Sequence, residues 1–109
     1  MKLLIAYIRP EMLSTVKKAL YAKGIYAMSV TNALGSGQQK GFTETYRGVV
    51  TEVNLLKKIR VEVGVPADKT EEALAALQTG AYTGREGDGI IFVQDVSKAV
   101  RVRTGEAAV

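Results

Sequence analysis

One pattern occurs twice along this chain, and it limits the available folds more than any other feature: an apolar strand, an amphipathic helix and a second strand. The segments are strand 2–8, helix 10–23, strand 24–34, strand 55–66, helix 68–80 and strand 90–96. Two successive βαβ units of this kind predict an α+β, ferredoxin-like βαββαβ fold, with an antiparallel sheet and both helices on one face. A brief last strand is predicted for Val100–Arg103, where apolar and basic residues alternate.

Both helices have recognisable start signals. Pro10 suits the first helical position, and Glu11 favours the positive end of the helix dipole. The second helix is predicted to open with a capping box over Asp68–Glu71.

The 109 residues predict a single domain, 1–109, because a chain of this size has room for one core. A sheet with helices on one side leaves its other face bare, so self-association is expected to cover it. No apolar run approaches the length of a membrane span, and the N-terminus lacks the pattern of a signal peptide. We therefore expect a cytoplasmic protein without direct membrane insertion.

Histidine and cysteine are both absent from the sequence, which excludes imidazole bases, thiolate nucleophiles and ordinary zinc sites. Most enzyme mechanisms lose their reactive groups with them, so we expect a protein that is not an enzyme. The net charge of +4 favours an anionic partner: nucleic acid, a phosphate-bearing metabolite or an acidic protein surface.

The segment from Gly35 to Asn54 interrupts the regular pattern. It contains four glycines and many polar residues, and it shows no sustained period. So long a loop in so small a domain indicates a functional segment, with a plain flexible hairpin tip as the alternative.

Two glycine-rich segments are candidate phosphate sites. Gly35–Gly41 fits neither the Walker A motif nor the dinucleotide fingerprint. In Thr83–Gly89 the glycines permit left-handed backbone that turns N–H groups toward an anion, and Arg85 adds charge. A plain turn is the alternative for this second segment.

Arg101 and Arg103 are two residues apart, which would place both guanidinium groups on one face of the predicted last strand. Two parallel forks suit a polyphosphate, whereas a solvated edge strand that resists aggregation explains the same residues without a ligand.

RNA binding also remains open, because RNA-recognition domains share this element order. Lys40-Gly41-Phe42 imitates the start of their signature, but Glu44 stands where a second aromatic residue is needed.

Three segments together resemble the PII signal-transduction proteins, and the match runs over nearly the whole chain. These segments are the 37–48 region with Gly37-Gln38-Gln39-Lys40-Gly41 and Tyr46-Arg47-Gly48, the run Thr83–Val93, and the tail Val100–Glu106. The resemblance implies a ferredoxin-like homotrimer that binds ADP or ATP in clefts between its subunits. It also implies a mobile T-loop over 37–54 and a C-terminal tail over 104–109.

The resemblance further implies roles for particular residues. Phosphate contacts are expected from Gly37, Gly87, Gly89, Arg101 and Arg103, and adenosine contacts from Ser29, Glu62 and Gly64. The rest of the expected nucleotide site consists of Gly35, Gln38, Thr83 and Asp88. Magnesium and 2-oxoglutarate would involve Gln39, with Lys40 and Lys58 also at the 2-oxoglutarate. The T-loop would contact a partner, an ammonium-type membrane transporter or a metabolic enzyme of nitrogen or related carbon metabolism, through Phe42, Tyr46 and Arg47.

Three positions depart from the PII pattern. Thr51 stands where many bacterial members carry a modified tyrosine, and Gln38 and Ile90 stand where the family usually has arginine and lysine. Because only ATP places charge at the outer phosphate, losing these cations predicts that ADP binds about as well as ATP or better. A weak or absent response to 2-oxoglutarate follows. A nucleic-acid-binding ferredoxin-like module remains the alternative function.

Overall fold

A computed structural model describes residues 1–35, 42–46, 49–53 and 55–108. Its strands are β1 (Lys2–Ile8), β2 (Ser29–Gly35), β3 (Phe42–Tyr46), β4 (Val49–Val53), β5 (Leu56–Val65) and β6 (Gly89–Asp95). Its helices are α1 (Leu13–Ala22) and α2 (Thr70–Ala81), each preceded by a short 3-10 turn, at Pro10–Met12 and Ala67–Lys69.

The main sheet has four antiparallel strands in the order β2-β5-β1-β6. β1 therefore lies between β5 and β6, and Ile5 is opposite Glu62 on one side and Phe92 on the other. This order, with two helices on one face, is the ferredoxin-like arrangement. The predicted fold class is confirmed.

The core lies between the sheet and the two helices. Alternate residues of the two central strands face it, as the two-residue period of a strand requires. Its fully buried larger side chains are Leu4, Ile8, Val16, Leu20, Val61, Val63 and Leu77. Burial of each such side chain stabilises the fold by about 1.5–3 kcal/mol.

The two helices approach closely at Gly80. A Cβ atom at this position would lie 2.8 Å from the Cα atom of Val16. The absence of a side chain therefore lets α2 pack directly against the backbone of α1.

The predicted capping box at Asp68–Glu71 is wrong. The structure has a 3-10 turn there, in which Lys69 N donates to Pro66 O at 2.9 Å. The Thr70 hydroxyl donates to Ala67 O at 2.8 Å, and no side chain caps the α2 N-terminus. The hydrogen bonds of the Lys69 N–H and the Thr70 hydroxyl within the preceding turn take the place of the predicted capping-box bonds.

The second strand begins five residues later than predicted, at Ser29 instead of Gly24. Gly24 has a φ of 74° and closes α1, because its N–H donates to Tyr21 O at 2.9 Å. Ile25 then donates to Leu20 O at 3.0 Å and is buried. Gly24 and Ile25 therefore end α1, and the chain enters the sheet only at Ser29.

The segment predicted to lack regular structure contains two strands. β3 and β4 form an antiparallel pair in which Phe42 is opposite Val53 and Tyr46 is opposite Val49. The prediction of an irregular loop is wrong for these ten residues. Residues 36–41, 47–48 and 54 lie outside the described part of the chain.

The last strand predicted at Val100–Arg103 is also wrong. Val100 forms an isolated antiparallel bridge with Ala107, and the chain between them turns back on itself. Arg101 N donates to Glu106 O, and Gly105 N, at a φ of 72°, donates to Arg101 O, both at 2.8 Å. The alternation of apolar and basic residues at 100–103 is compatible with this turn as well as with a strand. Because the chain turns here, Arg101 and Arg103 do not lie on one face of a strand.

Candidate anion-binding site

The glycine loop, residues 83–89, connects α2 to β6 and depends on glycines at three positions. Gly84, Gly87 and Gly89 have φ values of 86°, 89° and 114°. At Gly89 a Cβ atom would lie 1.7 Å from the carbonyl oxygen of Tyr7. The sequence expectation that these glycines adopt left-handed backbone is confirmed.

The carboxylate of Asp88 organises the loop from inside. Its Oδ2 accepts the backbone N–H of Thr83 at 2.8 Å and that of Gly84 at 2.9 Å, while Oδ1 accepts the Thr83 hydroxyl. These bonds, the Thr83 hydroxyl above all, hold the pKa of Asp88 well below its usual range. Asp88 therefore acts here as an ionised acceptor that closes the loop on itself.

Two cationic side chains attach the loop to the sheet. Arg9, the residue after β1, donates from Nε to Asp88 Oδ1 at 3.1 Å and from Nη2 to the carbonyl oxygen of Glu86. Lys58 of β5 donates from Nζ to the carbonyl oxygen of Gly87 at 2.6 Å. The loop is thus attached to three adjacent strands: to β1 through Arg9, to β5 through Lys58, and to β6 because the loop continues directly into it.

The open face of the sheet, which points away from the helices, carries the second group of predicted residues. Ser29 of β2 is opposite Glu62 of β5, and Gly64 is opposite Leu3 of β1. Together they line a cavity of about 350 Å³, with Ala27 and Met28 completing its wall. The structure therefore brings Ser29, Glu62 and Gly64 to one place.

The same face carries a row of aromatic and charged side chains. Arg60 lies over the ring of Tyr7, 5.7 Å from its centroid, and its Nε is 2.9 Å from Oε1 of Glu62. Tyr7 meets Phe92 edge to face at 6.5 Å. Since β5 contributes Arg60 and Glu62, the two central strands do not present the aromatic pair that RNA-recognition domains use.

Some of the remaining predicted residues lie elsewhere in the described structure, and others lie outside it. Arg101 and Arg103 are exposed in the C-terminal turn, and Gly35 ends β2 opposite Leu56. Gly37, Gln38, Gln39, Lys40 and Arg47 lie outside the described residues, and Phe42 and Tyr46 are the end residues of β3.

Sequence reasoning missed Arg9. Its partner Asp88 is 79 residues away in the chain, and Arg9-Pro10 suggested only the end of a strand and the start of a helix. Arg9 comes close to Asp88 only because the antiparallel pairing of β1 and β6 sets Ile8 opposite Gly89.

Two further observations concern metals and membranes. Among the residues that the structure describes, no group of three or more acidic side chains is arranged to hold a metal ion. No helix within that part of the chain has the length and apolar character needed to cross a membrane.

Comparison with known proteins gives matches over nearly the full chain. The family model described as nitrogen regulatory protein P-II matches residues 1–106. A nitrogen regulatory protein P-II from Azospirillum brasilense is 48% identical over 106 residues, which cover 97% of this chain and 95% of that protein. The nitrogen regulatory protein GlnK of Escherichia coli (strain K12) is 42% identical over 107 residues, covering 98% of this chain and 96% of GlnK.

Proposed function

Because this chain belongs to the nitrogen regulatory protein P-II family, we propose that it is a signal-transduction regulator that binds an adenine nucleotide, ADP or ATP. The family membership confirms the resemblance seen in the sequence. It also confirms the expectation of a regulatory protein instead of an enzyme.

The observation that carries this proposal is the glycine loop, whose conformation is fixed by hydrogen bonds of the protein itself. Asp88 closes it, and Arg9 and Lys58 tie it to the sheet. A preorganised loop loses little conformational freedom when an anion binds, so more of the interaction free energy appears as affinity. The backbone N–H groups of Gly87 and Gly89 would face the inner phosphates.

The adenosine would occupy the cavity beside Ser29, Glu62 and Gly64 of a neighbouring subunit, because within one chain this cavity lies at the start of β1 and the glycine loop at its end. This cavity lies on the open face, between the start of β2, the end of β5 and the start of β1. In a homotrimer the open faces would be turned toward neighbouring subunits, and Arg101 and Arg103 of the exposed C-terminal turn would complete the phosphate site across the subunit boundary.

The arginine contribution is tested with Arg101→Ala/Arg103→Ala in an ADP titration by calorimetry. Loss of a charge-assisted bond at a partly buried phosphate costs about 1.5–3 kcal/mol, which is roughly a ten- to hundredfold rise in Kd. Lys17→Ala/Lys18→Ala, which removes two exposed cations of α1, is the charge-matched control. Unchanged ADP affinity in the arginine variant would contradict the phosphate role.

The nucleotide preference follows from Gln38 and Ile90, since neither supplies a cation at the outer phosphate. Ile90 is 54% exposed at the start of β6, directly after the glycine loop. We expect ADP to bind as tightly as ATP or more tightly, and Ile90→Lys to gain affinity for ATP selectively. A strong ATP preference in the parent, or no ATP gain in Ile90→Lys beside an Ile90→Met control, would contradict this expectation.

Control of a partner would run through the T-loop, residues 37–54, with Phe42, Tyr46 and Arg47 at the contact. The partner would be an ammonium-type membrane transporter or an enzyme of nitrogen metabolism. Arg47→Ala should weaken binding to a purified ammonium transporter in nanodiscs while leaving the ADP affinity unchanged. Equal transporter binding by parent and variant would refute the role of Arg47.

Sensing of 2-oxoglutarate through magnesium and Gln39, Lys40 and Lys58 is expected to be weak or absent. Lys58 already donates to Gly87 O in the glycine loop, so an acid ligand would have to compete for this ammonium group. Calorimetry with 2-oxoglutarate in the presence of magnesium and ATP tests this point, and tight binding would contradict it.

A further inference from the structure

Arg9 joins two separate points of the glycine loop to the end of β1. Its Nε reaches the carboxylate of Asp88 and its Nη2 reaches the carbonyl oxygen of Glu86. The Arg9 side chain is only 15% exposed and that of Asp88 24%, so water competes little for the bond between them. The guanidinium group therefore fixes both the position and the tilt of the loop.

Among the described residues, Asp88 and Lys58 contact the loop in a different way. The bonds that Thr83 and Gly84 donate to Asp88 close the loop on itself without attaching it to the sheet. Lys58 holds a single carbonyl oxygen, that of Gly87, from the β5 side. One bond from a flexible side chain constrains the loop less than a planar guanidinium fork with two partners does.

The loop needs such an anchor because of its composition. Gly84 and Gly87 have positive φ values, and glycine backbone has more conformations to lose than any other residue. Without an anchor, this freedom would have to be given up when an anion binds, and the affinity would fall.

We propose that Arg9 is a positioning residue for nucleotide binding: it acts through Asp88 and the Glu86 carbonyl to hold the glycine loop in its anion-binding conformation. The proposal rests on the proposed function in so far as the anion is the phosphate chain of ADP. It assigns Arg9 no contact with the nucleotide.

The first test measures hydrogen exchange of the 83–89 amides in the ligand-free protein. Arg9→Met keeps the aliphatic stem and removes both donors, and Lys18→Met removes an exposed cation from α1 as the matched control. Arg9→Met should raise the exchange of this loop by about tenfold or more while the core strands keep their protection, and Lys18→Met should change neither. Unchanged loop exchange in Arg9→Met would overturn the proposal whether or not the protein binds ADP.

The second test is an ADP titration of the same variants. Arg9→Met should bind ADP about tenfold more weakly or worse, Lys18→Met should match the parent, and Arg9→Lys should recover part of the loss because a lysine can restore one of the two bonds. Failure of the parent to bind ADP would overturn the proposed function. ADP binding that is equal in parent and Arg9→Met would overturn only the role of Arg9.

A double-mutant cycle separates positioning from direct contact. If Arg9 acts through Asp88, replacing Arg9 in an Asp88→Asn background should cost much less ADP affinity than it does in the parent. If the guanidinium group touches the phosphates, the loss would be the same in both backgrounds. The second result would overturn the positioning role of Arg9 through Asp88.

Discussion

At Gly89 the backbone of β6 passes directly beside the end of β1, and the residue tolerates no side chain. Gly89→Ala would combine a positive φ, which costs about 1–2 kcal/mol for an L-residue, with a Cβ placed 1.7 Å from the Tyr7 carbonyl oxygen. The overlap would push β6 away from β1 and add an overpacking cost of about 1–3 kcal/mol. Urea denaturation should therefore show a large loss of stability.

Gly105→Ala is the matched control for this substitution. Gly105 also has a positive φ, of 72°, but a Cβ there would meet nothing within 4 Å. It should cost only the conformational term. Equal losses of stability in the two variants would show that β6 can shift to accept a side chain at Gly89.

Asp88 should make stability depend on pH in an acidic window. Its folded-state pKa is lowered from the ordinary value of 3.8, so the folded protein binds fewer protons than the unfolded chain when the pH is near or below that value. The stabilisation is therefore fully present above about pH 4 and is lost as the pH falls toward the lowered pKa. The parent should lose stability more steeply between pH 4 and 2 than Asp88→Asn does.

The control for the pH effect is Asp68→Asn, which replaces an exposed carboxylate in the turn before α2. It should retain the pH slope of the parent in the same urea titrations. A parent and an Asp88→Asn variant with parallel slopes would contradict the assignment of this proton-linked stability to the glycine loop.

At the scale of elements, the α1–α2 contact depends on Gly80. Gly80→Ala should gain about 0.8–1 kcal/mol of helix propensity, but its Cβ would lie 2.8 Å from Val16 Cα, an atom of the α1 backbone. A backbone atom cannot rotate away as a side chain can, so overpacking of about 1–3 kcal/mol should outweigh the gain. We expect a net loss of stability in urea.

Gly64→Ala provides the comparison, because the nearest atom to its added Cβ is the Met1 sulfur at 4.0 Å. There the substitution should be neutral or stabilising, by up to about 1 kcal/mol, through the unfolded state. A stabilised Gly80→Ala variant would mean that the two helices can separate without cost.

The elements that the sequence predicted well are those whose pattern serves a buried face. The apolar run of β1 contains Leu4, Ala6 and Ile8, which face the core, and α1 repeats its apolar residues because one side of it is also buried. The C-terminal turn has no such face: Val102 is fully exposed, so the alternation at 100–103 did not identify a strand. The hydrophobic pattern of a segment therefore predicts its secondary structure only where one side of that segment is buried.

The candidate site could be predicted only in part, for a related reason. Positive φ at Gly84, Gly87 and Gly89 follows from local chain geometry, which a glycine-rich sequence reveals. The bonds of Arg9 and Lys58 to the loop depend on the order of strands in the sheet, with β1 between β5 and β6. No local pattern encodes a contact between residues 79 positions apart.

At the scale of the whole molecule, the open face of the sheet requires a partner surface. Ile5, Tyr7 and Phe92 share this face, and Phe92 is 47% exposed although it meets the Tyr7 ring. The apolar part of this face, which lies beside Arg60 and Glu62, favours association with copies of the same chain. We expect sedimentation of the parent at three times the 11.7 kDa of the chain.

Phe92→Glu tests whether the open face forms the subunit contact. A glutamate there would be desolvated against apolar residues in a trimer but solvated in a monomer, so association should weaken strongly. Tyr26→Glu is the matched control, since Tyr26 is 70% exposed and packs against Tyr21 of α1, away from this face. Sedimentation equilibrium should give monomers for Phe92→Glu and trimers for Tyr26→Glu, with ADP shifting the former back toward trimers because a ligand held between subunits stabilises the assembly by mass action. A monomeric parent would contradict the trimer, and a trimeric Phe92→Glu variant insensitive to ADP would place the subunit contact on another surface.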